Sequence, residues 1–494
     1  MKRSVLLLAI LVMAAACGED QQQPLAPAAI TLSGDIFDVS PAGETITLTV
    51  TAPSRPYVTA CPAWIRTEVV SAFTDYQMEI SLTVQANNAF ESRTETVTLQ
   101  AGSLSQTVTV TQAGREKPEP SLGESAADAV RKMGAGWNLG NSLDANSGDE
   151  NHMWIEAYSG RTNETYETAW GQPVTTRELF RMFKEAGFNA IRIPVTWYPH
   201  MGTIQLQWEN EDWHWDKSAW TEYDVDPVWM ARVKEVVDYV IDEGMYCILN
   251  VHHDTGAAST AWLVAGESEF QEAKARYQAL WQQIADTFKD YDERLLFESY
   301  NEMLDSYDSW CFASFATPDR YDAAVAESAY KGINQYAELF VKTIRASGGN
   351  NPLRNLVINT YAACSGDGTW NSHLLDPLKQ LELPEAPGHL AVEVHSYWDA
   401  AQFDAQKADI DRLFTNLDRH IVSRLGVPVI IGEWGGGDVS DEVAARFAGY
   451  FSQKAHDAGI AAFMWMGLSD GKDRAVPTWT MPLTKDAILK PYLP

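Results

Sequence analysis

The chain is short of positive charge. Lys and Arg number 37 against 67 Asp and Glu in 494 residues, leaving a formal charge of −30 at pH 7. So acidic a surface repels phosphate, and no basic run follows Lys2-Arg3, which excludes sustained binding to nucleic acid. Cysteine is scarce too. Beyond Cys17 there are Cys61, Cys247, Cys311 and Cys364, whose spacing fits neither a disulfide framework nor a set of metal ligands. No apolar run reaches the roughly 18 residues that a membrane-spanning helix needs. What the chain has in quantity is 45% hydrophobic residues, 11% aromatics and 18 Trp, the composition of a well-filled globular core. The length allows about three average domains, or one large α/β barrel with a small companion.

Residues 1–16 place Lys2 and Arg3 before the apolar stretch Val5 to Ala16, the pattern of a secretory signal. Cys17 follows Ala14-Ala15-Ala16 and resembles the lipobox of bacterial lipoproteins. The resemblance implies cleavage before Cys17, a lipid on its thiol, and a tether over 17–29 that holds the mature chain to a membrane. The expected location is outside the cytoplasm, as a cell-envelope or outer-membrane lipoprotein, surface exposed or periplasmic.

From 30 to 114 the hydrophobic period is two: Ile46, Leu48 and Val50, then Met78, Ile80, Leu82 and Val84, then Val97, Leu99, Val108 and Val110. Apolar positions alternating with Thr-rich ones predict half-buried antiparallel strands in a small, immunoglobulin-like all-β sandwich without a catalytic cluster. Cys61-Pro-Ala-Trp-Ile, the run from Asn87 to Arg93 and the closing Thr107 to Gly114 resemble the BACON domain of Bacteroidetes carbohydrate-active proteins. That resemblance implies either glycan binding or a spacer role, and Trp64 reads as core rather than sugar platform. Residues 115–125 read as a charged, proline-stiffened linker.

From 126 to 494 short apolar strands alternate with long helical segments. Strands are expected near 134–138, 190–194, 246–251, 295–301, 355–360, 390–396, 428–432 and 460–466. Helices are expected at Thr176–Ala186, Pro227–Asp242, Glu267–Phe288, Tyr330–Ala346, Ala408–Leu425 and Asp441–Ala458. Eight such units predict a (β/α)₈ barrel, whose chemistry lies at the C-terminal ends of its strands. Those ends carry Asn138, Arg192, His252, His253, Asn301, Glu302, His395, Tyr397, Glu433 and Trp465. Two carboxylates at separate strand ends among His, Tyr and Asn are what glycoside hydrolysis requires, and Glu302 with Glu433 is the predicted pair. Glu298 and Glu393 lie deeper and are expected to pair with Arg192. Adjacent strand residues face opposite ways, so His252-His253-Asp254 is not expected to bind a metal. Gly134, Gly136 and Gly140 lack dinucleotide spacing and are expected to let the first strand turn; Gly435-Gly436-Gly437 reads as a flexible rim loop. The Trp residues at 197, 208, 213, 215, 220 and 229 form either extended sugar subsites or a self-packed loop.

On these motifs, Gly134 to the C-terminus resembles glycoside hydrolase family 5, the endoglucanase and mannanase family of retaining barrel enzymes. The resemblance implies Glu302 as acid/base, Glu433 as nucleophile and Asn301 on the sugar 2-hydroxyl. It places Arg192 and Tyr397 against Glu433, and His395 against Glu302. His252 would line the cleavage subsite ahead of His253, with Trp465 as stacking platform and Asn138 as support or substrate contact. Met303-Leu304, where the family commonly has Pro, is expected to alter the loop beyond the acid. Gly136 to Ala145 and Glu167 to Gly171 resemble the endoglucanase branch. The implied protein is a monomeric endo-β-1,4-glycanase acting on cellulose, mixed-linkage glucan or xyloglucan, with no metal or organic cofactor. An endo-β-1,4-mannanase and a non-catalytic surface glycan-binding protein are the alternatives.

Overall fold

The structure is a computed structural model that describes residues 25–87, 92–114, 123–146, 163–202, 206–209, 212–215, 222–257, 260–310, 321–367 and 371–493. The chain divides into two compact units, Met1–Lys117 and Pro118–Pro494. Cys17 and the signal lie outside the described residues. Among those described, no helix is long and apolar enough to cross a membrane.

In the first unit, eight strands form two four-stranded sheets. The alternating residues Leu48, Val50, Ile80, Leu82, Val97, Leu99, Val108 and Val110 are all buried in one shared core, which is the physical reason that period two was legible. The pairing is not wholly antiparallel: Ile36–Val39 runs parallel to Leu104–Gln112. Trp64 packs against the core from its edge, with the Arg93 guanidinium over its ring at 4.2 Å.

In the second unit eight parallel strands close into a barrel: Ala135–Asn138, Ala190–Ile193, Tyr246–Asn250, Leu295–Glu298, Leu356–Cys364, Leu390–Tyr397, Val429–Gly435 and Ala461–Trp465. Helices Arg177–Ala186, Pro227–Asp242, Glu267–Phe288 and Ala323–Ala346 follow strands one to four, and Phe403–Leu417 and Asp441–Ala458 follow strands six and seven. The expected break-free helix to Leu425 instead passes through a π-helical turn at Asp418–Val422.

A helix that period analysis overlooked, Ala126–Met133, closes the lower end. Ser125 caps it, and its Ala126, Ala129, Val130 and Met133 join Ala190, Ile248, Leu296, Val357, Ala391, Ile430 and Phe463 in one cluster inside the barrel. The expected linker therefore ends before residue 124: Glu124 accepts from the Tyr246 hydroxyl, and its carbonyl from Asn355.

Candidate active site

Two residues further along six of the eight strands, the inward face changes character. Above Ala190 stands Arg192, above Ile248 Asn250, above Leu296 Glu298, above Val357 Asn359, above Ala391 Glu393, and above Phe463 Trp465. Period-two alternation keeps each pair on one face, so the same strands that fill the lower barrel with hydrocarbon present a polar layer at the top.

Arg192 organises that layer, wholly buried. Nε and Nη2 grip Glu298 at 2.6 and 2.8 Å, Nη1 donates to Asn138 at 3.0 Å and to Glu433 at 2.9 Å, and Nη2 also donates to Asn301 at 2.8 Å. Glu393 lies 3.3 Å from Nε. The planar fork lets one cation orient four side chains, which an ammonium could not do. A buried cation so surrounded compensates carboxylates that would otherwise be strongly disfavoured.

Glu433 owes its direction to a bulge. The sixth and seventh strands pair Val394 with Ile431 and His395 with Glu433, skipping Gly432. Strict alternation would put Glu433 on the face of Ile431, away from the interior; the extra residue turns it inward. Gly432 is required there because a Cβ would lie 1.8 Å from Glu393 Oε1.

The two predicted carboxylates meet. His395 Nδ1 bonds Glu302 at 2.7 Å and lies 3.6 Å from Glu433, while its Nε2 bonds Glu393 at 3.2 Å. One ligand atom each from Glu302, His395 and Glu433 lies within 4.8 Å of the others. The Tyr397 hydroxyl donates to Glu433 at 2.6 Å. Burial pushes the Glu433 carboxyl up, but the charges of His395 and Arg192 and the Tyr397 hydroxyl outweigh it and hold it below its ordinary value. Burial pushes His395 down, and Glu433, Glu302 and Glu393 together carry it up to about 10. Glu393 is raised to about 7 by burial and by Glu298 beside it, against the pull of Arg192.

His252 sits 3.9 Å from Glu433 through Nε2 and stacks parallel to Trp465 at 5.6 Å. Its Nδ1 takes the Asn250 amide at 3.1 Å, leaving the ring proton on Nε2, and burial first, then His253, Arg192 and His395, hold it neutral. His253 packs edge-on to Trp170 and lies 3.9 Å from Asp144, outside the carboxylate pair. Asn138 is wholly buried and belongs to the support: its amide nitrogen reaches the Gly432 carbonyl at 2.8 Å and its oxygen serves Arg192.

Several expectations are corrected. The third strand ends at Asn250, so alternation does not separate His252 from His253; their rings lie 4.5 Å apart and both can aim an atom toward Asp144. Asp254 points elsewhere, accepting the N–H groups of Trp197 and Tyr198. The fourth strand ends at Glu298 rather than near 301, so Glu302 belongs to the following loop. Gly435 is strand, with room only for the Tyr397 ring, rather than flexible rim; Gly140 similarly makes space for Trp465. Trp197 and Trp229 are fully buried core. Trp208, Trp213 and Trp215 lie in a two-stranded antiparallel sheet, Leu206–Glu209 with Asp212–Trp215, and Trp220 lies outside the described residues. Sequence reasoning missed Asn250, Asn359, Gly432 and Asp144. The first two were legible as polar residues two places beyond an apolar inward position.

With this geometry in view, the family profile described as cellulase, glycosyl hydrolase family 5, matches residues 150–470, and that of BACON, a putative N-terminal binding domain, matches residues 57–113. The chain belongs to glycosyl hydrolase family 5. Its family 5 barrel is 35% identical over 353 residues to Endoglucanase B of Neocallimastix patriciarum, covering 69% of this chain but only 64% of that protein's length. A solved GH5-4 broad specificity endoglucanase from an uncultured bacterium superposes with a TM-score of 0.67 at 47% identity, covering 75% of this chain and 96% of that one. Prevotella bryantii PbGH5A, solved as a mutant in complex with a xyloglucan tetradecasaccharide, gives a TM-score of 0.62 at 37% identity, covering 75% and 99%.

Proposed function

We propose that the family 5 barrel is a retaining endo-β-1,4-glucanase acting on β-glucan such as cellulose, mixed-linkage glucan or xyloglucan. The observation that carries the reading is the approach of Glu302 and Glu433 within 4.8 Å across His395. Retaining enzymes hold their carboxyl groups about 5 to 5.5 Å apart, whereas inverting ones leave a gap of about 6.5 to 9.5 Å for water.

The roles follow from charge. Glu433, held ionised by Arg192 and Tyr397, attacks the anomeric carbon. The Glu302–His395 contact holds a proton between two atoms 2.7 Å apart, and Glu302 delivers it to the departing oxygen. Bonding to sugar neutralises Glu433, so the charge that held the proton near it is lost. Glu302 then takes a proton from water, which attacks the glycosyl ester and releases product with retained configuration. Asn301, its oxygen fixed by Arg192, keeps its amide nitrogen to donate to the sugar 2-hydroxyl. Trp465, parallel to His252, supplies a stacking face for the ring being cleaved.

The name and the bound ligand of the neighbours above favour glucan over mannan. Reducing-sugar release from carboxymethylcellulose, barley β-glucan, xyloglucan and β-mannan tests this, with Glu302→Gln as control. Activity on mannan alone overturns the glucan reading, and glycan binding without hydrolysis overturns the enzymatic one. The proposal also keeps the lipid anchor at Cys17: Cys17→Ala moves the protein from the membrane fraction to the soluble fraction.

A further inference from the structure

The loop that carries Glu302 leaves the fourth strand at Glu298, and residues 299–305 belong to no helix or strand. Besides the bonds from Asn301 N–H to the Val251 carbonyl at 2.9 Å and from Ala265 N–H to the Leu304 carbonyl at 2.7 Å, it is the end of the fifth strand that fixes it. The Asn359 amide donates to the Asn301 carbonyl at 3.4 Å and the Ala362 N–H to the Met303 carbonyl at 3.1 Å. The Tyr361 hydroxyl accepts the Asp305 N–H at 3.0 Å and donates to the Ser309 carbonyl at 2.7 Å. These contacts seize backbone groups on both sides of Glu302.

The strand reaches them because it is deformed. Its pairing with the sixth strand breaks between Asn359 and Cys364, and Thr360 Oγ1 closes the break onto the Cys364 carbonyl at 2.7 Å. Ala362 and Ala363 both take left-handed backbone, φ 52° and 49°. Two successive alanines in a region that side chains avoid persist only where surrounding contacts enforce them, and such strain gathers at functional sites. Glu433, by contrast, is held on the seventh strand by Arg192 and Tyr397, which this bulge does not bond.

We infer that the bulge at Tyr361, Ala362 and Ala363 is the device that positions the acid, with Tyr361 a positioning residue for Glu302. This rests on the proposed role of Glu302. Loosening the bulge displaces the proton donor while leaving the nucleophile in place, so the defect falls on proton transfer alone.

Leaving-group dependence tests it. Tyr361→Phe removes the hydroxyl that joins Asp305 to Ser309 and keeps the ring. On barley β-glucan its kcat/KM is expected to fall about ten- to a hundredfold, the scale of a misplaced general acid. On 2,4-dinitrophenyl β-cellobioside, whose leaving group departs without a proton, kcat/KM stays within about twofold. There kcat and KM fall together, because the glycosyl-enzyme waits for its base. The double variant Ala362→Gly/Ala363→Gly, which frees the backbone without removing a side-chain bond, shows the same split at about a few fold. Equal losses on the two substrates, or no loss on glucan, overturn the inference. Glu302→Ala is measured alongside: if it splits the substrates and the bulge variants do not, only the positioning role falls; if it does not split them, the acid assignment itself falls.

Discussion

The two halves of the barrel interior are made by the same eight strands and share nothing in chemistry. Below, Ala190, Ile248, Leu296, Val357, Ala391 and Ile430 pack against the helix Ala126–Met133 as one apolar cluster. Above, one step of the strand period away, Arg192, Asn250, Glu298, Asn359 and Glu393 form a connected polar network. The lower layer can stabilise the fold because hydrocarbon packing needs no partner chemistry. The upper layer is weak support for stability, since desolvating its charges offsets what their pairing returns. The geometry it imposes on Glu433 and Glu302 is its use.

That division can be broken from either side. At the top, Glu433→Ala should lower hydrolysis by about 10⁴-fold or more, the scale expected when a covalent nucleophile is lost, with the melting temperature preserved or raised. A residual rate within a few fold of wild type would remove Glu433 from the mechanism. At the bottom, Met133→Ala should destabilise the fold by about 2–5 kcal/mol through the cavity it leaves, while kcat/KM at 25 °C stays within about twofold of wild type, because no strand end moves. Denaturant unfolding and initial rates on the same samples compare the two. A loss of activity in Met133→Ala that tracks folded fraction supports the separation, and a loss in fully folded protein defeats it.

The same contrast explains what was legible in sequence. Helices such as Pro227–Asp242, Glu267–Phe288 and Asp441–Ala458 fall where the apolar period put them, because each buries one stripe against the barrel. The strand-end residues were visible because polar side chains interrupt apolar strands only where something uses them. What remained hidden depends on departures from regular backbone. The bulge at Gly432 turns Glu433 inward, the third strand stops before His252, and the left-handed Ala362 and Ala363 bend the fifth strand toward the acid. No periodicity encodes an extra residue. Helix Ala126–Met133 was missed for a different reason: at eight residues it is too short to show more than two turns of its pattern.

Gly432→Ala sharpens the comparison by placing one methyl into the polar layer. A Cβ there meets Glu393 Oε1 at 1.8 Å, so the buried carboxyl must leave His395 Nε2 or the bulge must shift. Overpacking of this kind costs about 1–3 kcal/mol. The expected result is a lower melting temperature together with a drop in kcat of roughly tenfold or more, since the acid and the nucleophile both depend on His395. A stability change alone would mean that Glu393 is structural and does not transmit position to the carboxylate pair.

Tyr397→Phe has the most specific expected effect. Glu433 must be ionised to attack, so the acidic limb of kcat/KM lies where that carboxyl gains a proton. In the folded protein its value is depressed: burial raises it, while His395, Arg192 and the Tyr397 hydroxyl lower it by more. Activity is therefore kept as the pH falls past the ordinary carboxylate range and is lost only below it. Removing the hydroxyl deletes one donor to the ionised form and leaves the two cations, so the acidic limb moves to higher pH without reaching neutrality. At pH 7 the rate should fall by about tenfold, the worth of one charge-assisted hydrogen bond. A pH–rate profile of the variant decides the matter: an acidic limb that stays in place would mean that Tyr397 steers the sugar rather than the charge on Glu433.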